Sequence, residues 1–240
     1  MILSPTHQPI GFALPNWQPR LPPEATVLIG RTCRLEPLDP ARHADDLCHA
    51  FLQPEAATVW TYLPSGPFSA TQSNTFRQHL ADISGQADPL HFAVIDQQTQ
   101  QAIGSVALMR IDATNGVAEI GAVTFSPQLQ HTTAATEAHF LLLQYLFDTL
   151  DYRRCEWKCD QLNAPSRKAA TRLGFQFEGL FRQILVYKGR NRDTAWHSII
   201  DSEWPATRAA LICWLAPDNF TADGQQKKSL VHFKTDAGTE

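Results

Sequence analysis

Long hydrophobic runs are absent from this chain of 240 residues. The most apolar segment, residues 138–150, is short and carries His139, Gln144 and Asp148, whereas a bilayer span needs about 20 apolar residues. No membrane partner is expected. The N-terminal "MILSPTHQPIGFALPNW" has no basic region followed by an apolar run, so no secretory signal is expected and a cytoplasmic location is. An excess of positive charge is also missing. The 20 Lys and Arg against 24 Asp and Glu give a net charge of -4, which argues against general binding of polyanions, and no nucleic-acid partner is expected. Cysteines are few and odd in number: Cys33, Cys48, Cys155, Cys159 and Cys213. Without a secretory signal this favours free thiols. Cys155 and Cys159 fall in "CEWKCD", which alternates like a strand. Four strand residues span about 13 Å, too far for a disulfide and awkward for one metal ion. They read as small buried side chains beside Trp157, and no metal is expected.

What is present suits one domain with a single core, at 43% hydrophobic and 18% charged residues. Half of the 16 prolines fall in residues 1–40. Residues 1–30 read as an extended Pro-rich arm, 31–216 as the domain, and 217–240 as a polar, mobile tail with "SLVHF" as a docking strand.

Within the domain, "TCRLEPL" (32–38) reads as a strand. Asp39-Pro40 opens a helix over 40–53, and a second helix over 68–84 has Ser69 as N-cap. "LHFAVID" and "AIGSVALMRID" form an antiparallel pair around "QQTQQ", and Asn115-Gly116 turns the chain into "VAEIGAVTF". A long helix runs to about Leu150. "RRCEWKCD" is the next strand. "NAPSRKAATRLGF" is a helix with Asn163 as N-cap, Pro165 in its first turn and Gly174 at its end. "FQFEGLFRQILVY" and "DTAWHSII" are strands around a basic tip, "KGRNRD", and a last helix covers 203–215. The order β-α-α-β-β-β-α-β-α-β-β gives an α+β fold, mostly antiparallel with central helix crossovers.

The connection "SPQLQHTTAATEAHF" (126–140) joins a strand to a helix N-terminus. This is a natural anion site, because free N–H groups and the helix dipole converge there. Such turns usually contain glycine, yet Gln130, His131, Thr132, Thr133, Ala134 and Ala135 stand here. Glycine permits close approach but does not bind phosphate itself. Small side chains leave room, and threonine hydroxyls can donate further hydrogen bonds.

"LQHTTAATEA" and "NAPSRKAATRLGFQFEG", in this order, resemble the pyrophosphate loop and following helix of the GNAT superfamily of acyl-CoA-dependent N-acyltransferases. Their closest likeness is to its ribosomal-protein N-terminal acetyltransferase branch. Gln130 and Ala135 match the ends of that loop, and Thr133 replaces its middle glycine. The resemblance covers about residues 31–201. It implies a layered α/β/α, mostly antiparallel sheet of about seven strands with a splayed central pair. It further implies acetyl-CoA as co-substrate and direct transfer to an amine, either a peptide N-terminus or a small molecule, by a monomer or homodimer.

Carried over to this sequence, the resemblance assigns cofactor binding to Gln130–Ala135 and to the strand edge Ala122, Val123 and Thr124, with the Val123 N–H facing the thioester carbonyl. Glu119 is the candidate general base, placed by alternation on one face with Gly121 and Val123. The family's helical tyrosine acid is missing from residues 164–173, and Ser166 is the hydroxyl available instead. Asn163 and Arg167 are further cofactor candidates. Trp60, Tyr62 and His91 are candidates for the acceptor pocket. Two other functions remain open: a non-catalytic acyl-CoA-binding or regulatory module, and a resistance enzyme acylating an amine-bearing toxin.

Overall fold

The structure, a computed structural model, describes residues 2–236. In the N-terminal arm β1 (Ile2–Leu3) and β2 (Pro9–Ile10) pair as a small hairpin. β3 (Leu28–Ile29) and β4 (Cys33–Pro37) begin the main sheet. α1 (Pro40–Phe51) starts where the Asp39 side chain accepts from the Ala41 N–H at 2.9 Å. A 3-10 segment, Pro54–Tyr62, follows between the first two helices. Ser69 caps a short 3-10 turn that runs into α2 (Ser73–Ile83). β5 (Leu90–Asp96), β6 (Ala102–Asp112) and β7 (Val117–Phe125) are successive antiparallel strands. α3 (Thr133–Gln144) ends in a π-turn reaching Thr149. β8 (Arg154–Asp160), α4 (Ala164–Leu173), β9 (Gln176–Tyr187), β10 (Arg190–Ile200), α5 (Trp204–Leu215) and α6 (Leu230–Asp236) complete the order. Gly174 takes the left-handed φ of +113° that ends α4.

The sheet order is β3-β4-β5-β6-β7-β8-β10-β9. It has eight strands rather than about seven because Leu28 and Ile29 of the arm pair with Leu35 and Arg34. All neighbours are antiparallel except β7 and β8. Apolar side chains on one face pack with α1 and α2 around Leu47, Phe51, Trp60, Phe76 and Leu80. Those on the other face pack with α3, α4 and α5 around Ile120, Leu142, Leu146 and Trp157. This sandwich is the layered arrangement expected of the element order.

Two features shape the centre. First, β7 and β8 pair only over Val117–Glu119 against Arg154–Glu156; beyond Glu119 the parallel ladder stops. Second, β7 bulges. Gly121 opposes Ala107 and Thr124 opposes Ser105, with Ala122 at a φ of +48° between them. The extra residue breaks strict alternation. Val123 therefore packs against the cluster containing Ile120 and Phe125, not on the Glu119 face that alternation predicted.

The tail also differs from expectation. "SLVHF" enters a helix, not a strand, because Leu230 and Phe233 recur at helical spacing. Leu230 is buried, and the Lys234 ammonium donates to the Thr171 carbonyl near the end of α4. The basic tip is shorter than predicted. Lys188 and Gly189, with φ of +49° and +69°, make the two-residue turn, and residues 190–193 already belong to β10.

A buried carboxylate ties α3 to the first strands. Glu137 accepts from the N–H groups of Arg31, Thr32 and Cys33 at 2.8, 2.6 and 3.0 Å, and from the Thr32 hydroxyl. Gly30 is required beside it, since a Cβ there would lie 2.6 Å from the Glu137 carboxyl carbon. Hydrogen bonds to a charged acceptor are worth about 1.5–3 kcal/mol each, and a donor left unpaired costs about as much. Glu137→Ala is expected to lower the unfolding free energy by about 3–5 kcal/mol. A urea titration reads this as a lower midpoint, and a change below about 1 kcal/mol would show the cluster to be dispensable.

Candidate active site

A cavity of about 490 Å3 opens where β7 and β8 part. Its walls bring together Glu119, Ala122, Val123 and Thr124 of β7, Asn163 and Ser166 at the start of α4, Trp60 and Tyr62, and His91 of β5. The Gln130–Ala135 loop and Arg167 lie outside these walls. The loop follows directly from the end of β7, and the Gln130 side-chain amide donates to the Phe125 carbonyl at 2.8 Å. His131 adopts a φ of +63°, the conformation that glycine usually supplies. The Thr132 hydroxyl is not free for a ligand: it donates to the Leu129 carbonyl at 2.7 Å and accepts from the Ala135 N–H at 3.2 Å. This cap leaves the first-turn N–H groups of Thr133 and Ala134 without an intrahelical acceptor. Arg167 is exposed, with a long contact to the Gln161 carbonyl at 3.4 Å.

Glu119 is 3% exposed. Its Oε2 meets Arg110 Nη1 at 2.9 Å and Lys158 Nζ at 3.0 Å. Its Oε1 lies on the side of Gly121, where an added Cβ would stand 3.1 Å from it and 2.4 Å from Met109 Sδ. Glycine at 121 thus leaves room for Met109 and for that oxygen. Burial raises the proton affinity of Glu119, opposed by the charges of Lys158 and Arg110. Ser166 is equally oriented. Asn163 caps the helix through the Ser166 N–H at 3.1 Å, and Trp157 Nε1 donates to the Ser166 oxygen at 3.0 Å. With its oxygen accepting from Trp157, the Ser166 hydroxyl has its proton to donate, and the Cys159 sulfur is within its reach.

The wall formed by Trp60 and Tyr62 is latched from two directions. Lys188 Nζ donates to the Trp60 carbonyl at 2.7 Å and Arg190 to the Thr61 carbonyl at 2.8 Å, while the Tyr62 hydroxyl donates to the Leu162 carbonyl at 3.0 Å. Trp60 also anchors an aromatic cluster with Phe51, Phe68 and Phe76. Sequence reasoning missed Lys158, Arg110 and Tyr187, all of which line the cavity. Tyr187 reaches it from β9 and donates to Asp160 Oδ2 at 2.8 Å. Alternation in "CEWKCD" separates Lys158 from the buried cysteines, but its pairing with Glu119 follows only from the adjacency of β7 and β8.

The acetyltransferase (GNAT) domain family matches residues 33–176. A GCN5-related N-acetyltransferase from Brucella melitensis has a similar crystal structure, with 50% identity and a TM-score of 0.90 over 92% of this chain and 100% of that one. The chain belongs to the GNAT family. An N-acetyltransferase from Bacillus licheniformis, p20, is 34% identical over 67% of this chain and 89% of its own. The putative ribosomal N-acetyltransferase YdaF of Bacillus subtilis is 27% identical over 71% and 90%. Among the described residues, no helix is long and apolar enough to cross a membrane, and no group of three or more His, Cys, Asp or Glu is placed to hold a metal ion. All five cysteines are free.

Two histidines of this GNAT domain are held neutral. His91, in the cavity wall, and His139, stacked between Phe125 and Trp157, have pKa values pushed down to about 4 by burial. A folded pKa below the unfolded value means that the unfolded chain binds more protons between the two, so stability is lost as pH falls through that window. Between pH 6.5 and 4.5 the folding free energy is expected to drop, by at most about 3 kcal/mol per histidine down to pH 4. Urea midpoints measured across this range should show a shallower slope in His91→Asn than in the wild type. Parallel slopes would remove His91 as a contributor.

Proposed function

We propose that this GNAT domain is an acetyl-CoA-dependent N-acetyltransferase acting on a primary amine, a peptide N-terminus or a small molecule, within a ternary complex. The observation that carries this reading is the parting of β7 and β8 beyond Glu119, with one cavity lined both by Ala122–Thr124, which β8 no longer pairs, and by a buried carboxylate. Acetyl-CoA supplies an acyl thioester. The residues fit it: the α3 N-terminus offers unpaired N–H groups to the phosphates, small side chains at 132–135 leave room, and the bulged edge of β7 offers backbone groups to the pantetheine arm.

The amine attacks the thioester carbonyl carbon; the C–N bond forms as the C–S bond breaks. Oε1 of Glu119, which carries neither ion pair, takes the amine proton, and the Ser166 hydroxyl gives a proton to the departing thiolate while regaining one from solvent. The Val123 N–H is assigned to the carbonyl oxygen. Trp60, Tyr62 and His91 bound the amine-bearing group. Asn163 positions Ser166, and Arg167 attracts cofactor phosphate from outside the cavity.

The decisive experiment follows release of free CoA thiol from acetyl-CoA over a panel of amines and peptides. Turnover of at least one amine is expected, and binding without any turnover would favour a non-catalytic module. Thr133→Glu, which sets a negative charge at the loop, is expected to abolish acetyl-CoA binding in calorimetry; unchanged affinity in the folded variant would remove the loop from the cofactor site. With the amine that the panel finds, Ser166→Ala is expected to lower kcat by about 10²–10⁴-fold with little change in cofactor affinity. A loss below about threefold would leave Ser166 a purely structural role.

A further inference from the structure

Glu119 stands at one end of a charge ladder that crosses the sheet. Arg110 of β6 and Lys158 of β8 both contact its Oε2. Lys158 Nζ also meets Glu156 Oε2 at 2.7 Å. Glu156 Oε1 accepts from Arg154 Nε at 2.9 Å, and Arg154 grips Glu178 of β9 with both terminal nitrogens, at 2.7 and 2.5 Å. Arg110 is half exposed, but the side chain of Lys158 is only 9% exposed and that of Glu156 13%. Lys158 Nζ lies 3.9 Å from the centre of the Trp196 ring of β10. The other titratable groups near Glu119 are neutral: the buried Cys155 thiol of β8, whose burial holds its proton on, and His91 of β5.

Lys158 is therefore shared. Its single positive charge is divided between two carboxylates in a buried setting, where a neighbouring charge shifts a carboxylate by about 1–3 pKa units. Glu156 stands directly across from Glu119 in the β7–β8 register and is absent from the cavity wall, so it can act on Glu119 both as a neighbouring like charge and through the shared Lys158. We infer that Glu156 is a positioning residue that keeps Glu119 basic by drawing part of the Lys158 charge away from it. The inference deepens the proposed function, since it rests on Glu119 as the proton acceptor, but its direct readout does not need turnover. With Glu156 neutral, Lys158 would serve Glu119 alone, stabilise its ionised form and make it a weaker base. Arg154 would retain its two-pronged contact with Glu178, so the sheet edge stays paired.

The test uses Glu156→Gln, Lys158→Gln and the double variant in the full chain. Carboxylate 13C NMR titration, with Glu119→Gln used to assign the Glu119 signal, follows its pKa directly. Glu156→Gln is expected to move that pKa down by about one unit, and Lys158→Gln to move it up. In the Lys158→Gln background, Glu156→Gln should move it by less than half as much, because the route is gone. The acidic limb of the kcat/KM profile should follow the same shift. An unchanged Glu119 pKa in Glu156→Gln, or an equal shift with and without Lys158, overturns the inference. A shifted pKa with an unmoved rate profile leaves the coupling standing and removes Glu119 as the base. Should Lys158→Gln fail to fold, Lys158→Met replaces it and is read in the same way: a shift from Glu156→Gln less than half as large in that background supports relay through the cation, and an equal shift overturns it.

Discussion

The structure depends on a parallel strand pair that stops pairing after three residues. Backbone N–H and C=O groups need partners, so a ladder that ends early inside a sheet leaves groups free to pair elsewhere. On the α3 side the rings of Phe125 of β7, His139 of α3, Trp157 of β8 and Phe175 pack tilted or edge-on in succession, with centres 5.2, 5.1 and 5.5 Å apart. Because parallel strands need a crossover, α3 must begin at the end of β7 and α4 follows the end of β8. Both helices therefore begin at the carboxyl ends of diverging strands, where α/β proteins place ligands, and the start of α4 lines the crevice itself.

Much of this was legible in the sequence because the punctuation is local. Asp39-Pro40, Asn163 with Pro165, and Gly174 each act on their own turn, and each marks the element end it predicts. Strand existence followed from alternation, and the family resemblance supplied the splay. What was not legible is long-range. The bulge at Ala122 is signalled only by the neighbouring Gly121, and its register is imposed by the pairing of β7 with β6. The Glu119–Lys158 contact joins residues whose proximity exists only once β7 and β8 are adjacent. Tyr187 enters the cavity because β9 is twelve residues long and folds its end towards Asp160. The helical fate of Leu230–Asp236 was hidden by its short length, with docking on α5 and α4 deciding it.

Burying Glu119 would be costly without compensation, since an isolated carboxylate loses its hydration. The domain answers with two cations on one oxygen rather than one on each. That asymmetry makes the two halves of the carboxylate different: Oε2 carries both ion pairs and Oε1 carries neither. Glu137, by contrast, accepts from backbone and hydroxyl donors on both oxygens. Two buried glutamates thus differ in one domain by whether the second oxygen is hydrogen-bonded.

The latch across the wall formed by Trp60 and Tyr62 has a property that concerns variation rather than energy. Lys188, Arg190 and Tyr62 all end on backbone carbonyls, those of Trp60, Thr61 and Leu162. A carbonyl is present whatever side chain its residue carries. Thr61, exposed, and Leu162, also exposed, can therefore drift in identity while the wall keeps its position. Inherited changes at such positions would reshape the surface that meets an incoming molecule without disturbing the crevice between β7 and β8, so one half of the domain is open to divergence while the other is held to its chemistry.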